Sequence, residues 1–313
     1  TTKTKAKPVA AAKSSSAKKS IKQSSSKQNY TKFLIVAFVV LFAAIGSYFV
    51  FFSKAGAPTL TWAPPTGYEN YPVKNVGVST ATQTVSGGGG DMLVKLPGTP
   101  TGPINLTNCR NVVIIGGQIN IPPNSGPGTD MRGIYVNGCT GTVHIEGVYI
   151  NGDIATAEGD GIAIKAPQAI VQIQNVRIYK LYGGFDTAKH NHSDIIQPWG
   201  GVKELRVDRL TGSSNYQGFQ INEDQGAIGV ETFKNVNIGD SGVPSPDGKG
   251  GYYVWLKCGT GTKYSFENVY VQPRSGRSLA NSVWDGGCGI QATSSSLTFS
   301  NSAASGSILN GKP

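Results

Sequence analysis

The stretches VHIEG (143–147), VQIQN (171–175) and YSFEN (264–268) share one pattern, in which apolar and polar residues alternate before a glycine or asparagine. Seven copies of this pattern occur between Cys109 and Asn301, among which VIIGG (113–117) does not alternate and LRVDR (205–209) ends in arginine. Their third residues are separated by 30, 28, 34, 26, 33 and 33 positions. Those third residues are Ile115, Ile145, Ile173, Val207, Phe233, Phe266 and Phe299. A period of about 20 to 50 residues is typical of stacked supersecondary units and not of an ordinary globular core.

Each repeat contains short strands rich in Val, Ile and Phe, and no helical periodicity. Parallel coils joined by short turns pair each strand with the coils above and below, so we expect interior columns of stacked apolar side chains. The pattern predicts an all-β fold, a right-handed parallel β-helix of about seven coils, over residues 75–313. We expect residues 53–74 to form a linker and N-terminal cap, and the polar C-terminal stretch SAASGSILNGKP to close the other end.

The net charge of +10 is concentrated at the N-terminus. Residues 1–56 contain ten lysines and no Asp, Glu or Arg, and the rest of the chain carries 18 basic and 18 acidic residues. The folded part is therefore neutral, which argues against a nucleic-acid partner.

A run of 20 apolar residues, 33–52, has the length that crosses a bilayer as a helix. Nine lysines precede it and one follows. The positive-inside rule therefore predicts a single-pass membrane protein with a cytoplasmic N-terminus and an extracellular or periplasmic β-helix. Residues 1–32, rich in Lys and Ser, should be a disordered cytoplasmic tail. The alternative is a signal peptide cleaved after Ala57, which exports the same domain.

The four cysteines fall into two pairs, each 30 residues apart. INLTNC (104–109) and IYVNGC (134–139) align residue by residue, so one coil separates Cys109 from Cys139. The spacing of Cys258 and Cys288 is the same. Neighbouring coils are about 4.8 Å apart, which suits a disulfide. We predict bridges Cys109–Cys139 and Cys258–Cys288; stacked free thiols are the alternative.

The phrases before one strand of each coil align as DMRGIYV (130–136), EGDGIAI (158–164), HSDIIQP (192–198) and NYQGFQI (215–221). This alignment predicts two adjacent columns of polar side chains along the axis. The first column is Asp130, Glu158, His192 and Asn215, and the second is Arg132, Asp160, Asp194 and Gln217.

In the second column, Asp160 and Asp194 would lie one coil apart, too close for both to ionise without a cation or a shared proton. Such a pair suits glycosidase acid/base chemistry. It also suits a Ca²⁺ ion, for which the candidate ligands are Asp130, Glu158, Asp160 and Asp194. Ordinary turn chemistry is the structural alternative for Asp160.

The longest coil carries the insertion LYGGFDTAKHNHSDIIQPWGG (181–201), with His190 and His192. His192 is a candidate proton donor, and a zinc site formed by the two histidines and Asp194 is an alternative. Trp199 offers a flat apolar surface on which a sugar ring could stack. The other candidate substrate-binding residues on this surface are Gln197, Tyr216, Gln220 and Tyr135. His144, in VHIEG, is interpreted as an ordinary outward residue.

The coil phrases, GDGIAIK (159–165) and HSDIIQPWGG (192–201) together resemble the pectate-lyase-like right-handed β-helix superfamily over about residues 75–310. The resemblance implies a polysaccharide lyase, a glycoside hydrolase or a glycan-binding surface protein. In a lyase, Lys165 or Arg132 would neutralise the carboxylate of a uronate, because removal of the adjacent proton develops charge there.

These observations predict a membrane-anchored, outward-facing envelope protein that cleaves or binds a polysaccharide. For cleavage, the candidate catalytic residues are Asp160, His192, Asp194, Lys165 and Arg132, with Ca²⁺ as a possible cofactor. The alternative is a non-catalytic adhesin or envelope scaffold, in which the aspartates only make turns. The two hypotheses differ in whether Asp160, His192 and Asp194 converge on an outer groove.

Overall fold

A computed structural model describes residues 59–123, 131–153, 158–183, 192–244, 248–259 and 263–313. Residues Leu60–Pro313 form one compact unit, built almost entirely of β-strands. In the part of the chain so described, no helix is long and apolar enough to cross a membrane. The predicted membrane span 33–52 and the tail before it lie outside the described residues.

Most of the strands belong to a single parallel β-solenoid. They are β1 (Val73–Asn75), β2 (Gln83–Ser86), β3 (Met92–Lys95), β4 (Ile104–Thr107), β5 (Val112–Ile115), β6 (Gln118–Asn120), β7 (Met131–Asn137), β8 (Thr142–Glu146), β9 (Tyr149–Asn151), β10 (Gly159–Leu181), β11 (Ile196–Gln197), β12 (Val202–Ser214), β13 (Gln217–Asn222), β14 (Ile228–Asp240), β15 (Tyr252–Lys257), β16 (Lys263–Gln272), β17 (Val283–Asp285), β18 (Ile290–Ala292), β19 (Ser296–Phe299) and β20 (Ala304–Asn310). Three short 3₁₀ helices, Tyr68–Asn70, Glu223–Gln225 and Ala280–Ser282, interrupt them.

Each coil passes through three faces, and the long strands continue around the corners. Face 1 contains β2, β4, β7, the start of β10, β11, β13, β15 and β17. Face 2 contains β1, β3, β5, β8, the middle of β10 and the starts of β12, β14, β16 and β20. Face 3 contains β6, β9 and the ends of β10, β12, β14, β16 and β20.

The regular part of the solenoid is shorter than the sequence predicted. The levels that begin with β4 and end with β16 carry strands on all three faces, which makes about five turns from the first to the last. The prediction of about seven coils included the two ends, where the pattern is incomplete. At the N-terminal end, β1 to β3 cover two faces, and at the C-terminal end the antiparallel strands β18 and β19 come between the parallel strands β17 and β20.

The corner between face 2 and face 3 explains the repeated phrase. Its fifth residue has positive φ in six of the copies: Gly117 (100°), Gly147 (65°), Asn175 (54°), Arg209 (53°), Asn235 (51°) and Asn268 (53°). Five of these six residues are glycine or asparagine, which adopt this left-handed conformation most readily, and Arg209 is the exception. The fifth residue therefore makes the bend, and the residues before it form the strand of face 2.

Stacked apolar side chains fill the interior, as the sequence predicted. On face 2 the aligned residues Ile145, Ile173, Val207 and Phe233 are fully buried. An aromatic stack continues this column, with ring centroids 5.1 Å apart between Phe233 and Phe266. Burying each such side chain contributes about 1.5–3 kcal/mol, so the columns are the main source of stability.

Glu231 is an exception to this apolar interior. It aligns with Leu205 on one side and Tyr264 on the other, and it is fully buried. Neither of its carboxylate oxygens has a hydrogen-bond partner in the described part of the chain. Burial, and then the charge of Glu223, raise the pKa of Glu231. A buried acid with a raised pKa is held in its neutral form.

The structure corrects two repeat assignments. Ile114, not Ile115, aligns with Ile145, and Ile115 is 46% exposed. The seventh phrase, which contains Phe299, forms the antiparallel strand β19 instead of the next parallel coil. The next parallel strand is β20, so the C-terminal stretch predicted as a simple cap supplies a coil of its own.

The N-terminal segment, residues 60–65, lies across the outer surface of face 2. The Trp62 amide donates to Gln174 Oε1 at 3.0 Å, and Gln174 Nε2 donates to the Trp62 carbonyl at 2.6 Å. Thr61 Oγ1 donates to Asp208 Oδ2 at 2.7 Å. The segment therefore buries outward-facing polar residues of β10 and β12.

His144 also points outward from face 2, but it is fully buried. Its neighbour Gln172 satisfies every partner when its amide nitrogen donates to the Ala63 carbonyl at 3.2 Å and to His144 Nδ1 at 2.9 Å. His144 Nε2 then donates to Glu146 Oε2 at 3.2 Å. The prediction of an ordinary outward position for His144 missed this cover, because the packing partner is distant in sequence.

Two disulfides join neighbouring coils. Cys109 is bonded to Cys139 with a Cα–Cα distance of 4.4 Å, and Cys258 is bonded to Cys288 with a distance of 5.1 Å. Each bridge closes a loop of one coil. The two bridges lie near the two ends of the regular solenoid.

Candidate functional site

The strand register on face 1 brings the predicted site residues together. Asp160 aligns with Arg132 on the preceding coil, and Ile162 aligns with Ile196 on the next. Ile196 in turn aligns with Phe219. All three alignments agree with the matching of the sequence phrases. Asp130 and His190 lie outside the described residues.

Aromatic and cationic side chains cluster at the outer surface of face 1. The rings of Tyr135 and Trp199 are stacked, with centroids 6.3 Å apart and planes at 22°. The Arg132 guanidinium lies 4.9 Å from the Tyr135 ring centroid and 5.7 Å from that of Trp199. Lys165 Nζ lies 5.2 Å from the Trp199 centroid. We call Arg132, Tyr135, Lys165 and Trp199 the face 1 cluster.

The turn after β11 sets the position of Trp199. Gly201 has φ of 88°, and its amide donates to the Pro198 carbonyl at 3.1 Å. A Cβ on Gly200 would lie 2.2 Å from Lys165 Cγ. The two glycines therefore allow the backbone to turn tightly against Lys165. This close approach places the Lys165 side chain beside the Trp199 ring.

The charges of the cluster are only partly neutralised. Arg132 forms an ion pair with Asp160, with 3.8 Å between Nε and Oδ2. Lys165 is exposed and forms no ion pair with any described residue. Burial raises the pKa of Tyr135, and the charge of Arg132 opposes this effect. The cluster therefore combines aromatic rings with a net positive charge.

The two predicted acidic residues are neighbours, and both are buried. The Asp194 amide donates to Asp160 Oδ1 at 3.0 Å. Asp160 is 7% exposed and Asp194 is fully buried. Among the described residues, neither oxygen of the Asp194 carboxylate has a hydrogen-bond partner. A polymer on the outer surface of face 1 would therefore not contact the Asp194 carboxylate in this conformation.

Burial and the neighbouring carboxylate set the electrostatics of Asp194. Burial, and then the charge of Asp160, raise the pKa of Asp194 well above its usual value. The neutral form of Asp194 is therefore favoured beside Asp160, whose Oδ1 accepts a hydrogen bond from the Asp194 amide and whose Oδ2 faces Arg132.

His192 lies at the edge of this region and is exposed. Its ring stacks on that of Tyr216, with centroids 4.8 Å apart and planes at 14°. Tyr216 is 8% exposed, so most of its surface serves packing. Glu158, on the preceding coil, pairs by its backbone with Tyr182. The catalytic roles predicted for Asp160, His192 and Asp194 stay predictions.

An outward column continues along face 1 beyond the cluster. Gln197 Nε2 donates to Gln220 Oε1 on the next coil. Gln220 aligns with Trp255, and Trp255 aligns with Trp284. The two tryptophan rings meet edge to face, with centroids 5.2 Å apart. Sequence reasoning missed this tryptophan pair, although WLKCG and WDGGCG have nearly the same distance to their cysteines.

In the ranges that the structure describes, no three His, Cys, Asp or Glu side chains converge to hold a metal ion. The Arg132 ion pair already places a cation beside Asp160. The calcium and zinc alternatives also involve Asp130 and His190, outside these ranges, and stay predictions.

No protein-family model, curated protein or solved structure matches this chain.

Proposed function

We propose that this chain is an outward-facing envelope protein whose right-handed, pectate-lyase-like β-helix binds an acidic polysaccharide along face 1. The observation that carries the proposal is the stacked pair Tyr135 and Trp199 with Arg132 and Lys165 against its rings. Aromatic faces pack against the apolar faces of sugar rings, and the two cations suit the carboxylates of uronate residues.

The column beyond the cluster supports a ligand that runs along the solenoid axis. Gln197 and Gln220 provide amides, and Trp255 and Trp284 provide a second aromatic contact. Neighbouring coils are about 4.8 Å apart, which is close to the length of one sugar unit in an extended chain. One sugar unit would therefore meet one coil.

We favour binding over cleavage because of the burial of Asp194. An acid/base pair must reach the glycosidic oxygen, but Asp194 is fully buried and both of its carboxylate oxygens are inaccessible to solvent. In the binding function, Asp160 instead positions Arg132 beside Tyr135. The apolar run 33–52 would anchor the chain in the membrane, with the β-helix outside the cell or in the periplasm.

The purified full-length chain, incubated with polygalacturonate or with neutral dextran, tests this function. We expect the protein to sediment with polygalacturonate and not with dextran. Binding should weaken as the salt concentration rises, because salt screens exposed charges. Lys165→Ala should weaken binding, whereas Lys203→Ala, an exposed lysine on β12, should not.

The same samples are assayed for unsaturated uronate absorbance and new reducing ends. Neither should appear. Product formation that Asp160→Asn and Asp194→Asn abolish would replace the binding function with a lyase or hydrolase. Equal binding of dextran would contradict the acidic ligand.

A further inference from the structure

Face 3 carries a groove that shares no residue with the face 1 cluster. Its cavity has a volume of about 240 Å³. One wall is formed by Arg177, Tyr179 and Lys180, and the other includes Gln272 and Lys312. The floor consists of aligned residues of β12 and β14, most of which have small side chains. They are Thr211, Gly212, Ser213, Asn237, Ile238 and Gly239.

The cations of this groove exceed its carboxylates. The Arg177 guanidinium lies 5.5 Å from the Tyr149 ring centroid and 5.0 Å from that of Tyr179. Arg177 and Lys312 are exposed and form no ion pair with a described residue. The ammonium of Lys180, in contrast, is 3.2 Å from an Asp153 carboxylate oxygen. The two tyrosines therefore position a guanidinium that has no carboxylate partner among the described residues.

Asp240 is the carboxylate among the described lining residues, and it is already engaged. The Tyr253 hydroxyl donates to Asp240 Oδ1 at 3.2 Å, and Arg274 Nε lies 3.9 Å from the same oxygen. Asp240 therefore does not neutralise Arg177 or Lys312. The groove keeps a positive charge that favours an anionic ligand.

The floor adds a specific unmet hydrogen bond. Asn237 Oδ1 is buried and has no hydrogen-bond partner within the described chain. A buried acceptor without a donor is unusual in folded proteins, because its desolvation is not compensated. A ligand hydroxyl can supply the missing donor. Thr211 and Ser213 add hydroxyls beside it.

We propose that this groove is a second binding site, for one acidic sugar residue. The anionic group lies on Arg177, Lys312 adds positive charge from the opposite wall, and a ring hydroxyl donates to Asn237 Oδ1 once that amide turns into the groove. The site does not depend on the face 1 cluster, since the two share no residue. A chain with both sites holds two acidic glycan segments, on different faces of the solenoid.

Titration calorimetry of the full-length chain with tetragalacturonate tests the second site. We expect two sites in the wild type. Trp199→Ala should leave one, and Trp199→Ala combined with Arg177→Ala should leave none. Asn237→Asp, which hardly changes the volume, should weaken the face 3 site at least about tenfold by adding a negative charge beside the anion.

Lys95→Ala, an exposed lysine on β3, is the matched control and should keep both sites. Glucose, which is neutral, should not occupy the groove. If Trp199→Ala abolishes all binding, the face 3 site is overturned and the face 1 function stands. If Arg177→Ala abolishes all binding and Trp199→Ala has no effect, the face 1 function fails and the face 3 site stands. Unchanged binding by Arg177→Ala and by Asn237→Asp also overturns the groove.

Discussion

The carboxyl group of Asp194 is buried in the solenoid, beside that of Asp160 and without a hydrogen-bond partner in the described residues. Its raised pKa makes the stability depend on pH. Below the unfolded-state pKa of about 3.9, both states carry the proton. As pH rises above this value, the unfolded state ionises first, so the free energy of unfolding falls until the folded-state pKa is reached.

We therefore expect Asp194→Asn to lose less stability than the wild type between pH 4 and pH 7. Urea unfolding at both pH values measures the difference. Glu231, which shows the same effect, is present in both proteins and cancels. Glu69→Gln, an exposed carboxylate, should follow the wild type. A larger loss in Asp194→Asn than in the wild type would mean that Asp194 is ionised in the folded protein.

For single residues, the sequence predicted which side chains are adjacent better than it predicted which are buried. Matching of GDGIAI with SDIIQP placed Asp194 next to Asp160, because a constant strand register follows from the repeat. Whether a side chain points in or out depends on the local backbone before the strand begins. That is why burial of Asp194 could not be predicted, whereas its adjacency could.

The corner between face 2 and face 3 is the element that defines each coil. Asn235 adopts φ of 51° there. Asn235 Nδ2 donates to Asp208 Oδ1 at 2.8 Å. Asn268 Nδ2 donates to Asn235 Oδ1 at 3.1 Å. The corner thus combines a left-handed backbone with a ladder of side-chain hydrogen bonds between coils.

Asn235→Ala and Asn235→Gly separate these two contributions. Both variants lose the hydrogen bonds, but alanine also has to adopt the left-handed conformation. We expect Asn235→Ala to be less stable than Asn235→Gly by about 1 kcal/mol, measured by urea unfolding. Equal stabilities would mean that the backbone conformation at this corner costs nothing.

The disulfides join coils as elements of the same stack. A bridge that closes a loop of 30 residues stabilises by about 3–4 kcal/mol in the chain-entropy model. We expect the Cys109→Ser, Cys139→Ser double variant to unfold at lower urea than the wild type. Mass spectrometry without reductant should find no alkylatable thiol in the wild type; four would contradict both bridges.

The solenoid as a whole could be predicted from its period, and its ends could not. Regular coils repeat a local rule, in which alternating strand residues precede a glycine or asparagine at the corner. The ends do not obey this rule. Residues 60–65 pack on face 2 through Thr61, Trp62 and Ala63, and β18 and β19 pair in antiparallel fashion. Such contacts depend on tertiary packing between segments far apart in sequence.

The candidate site was also predicted only in part. Tyr135, Gln197, Trp199 and Gln220 were predicted on one surface, and the register of face 1 brings three of them into one column. The tryptophans 255 and 284 and the face 3 groove were not predicted. Their residues follow no motif and become neighbours only when coils are stacked.

In the proposed function, the face 1 cluster binds an acidic polysaccharide. The most direct measurement is the affinity of polygalacturonate for the full-length wild type and for Trp199→Ala, with Tyr68→Ala as the aromatic control away from face 1. We expect Trp199→Ala to weaken the face 1 affinity at least about tenfold, or 1.4 kcal/mol, and Tyr68→Ala to match the wild type. Equal affinity of all three proteins would mean that the face 1 cluster does not bind the polysaccharide.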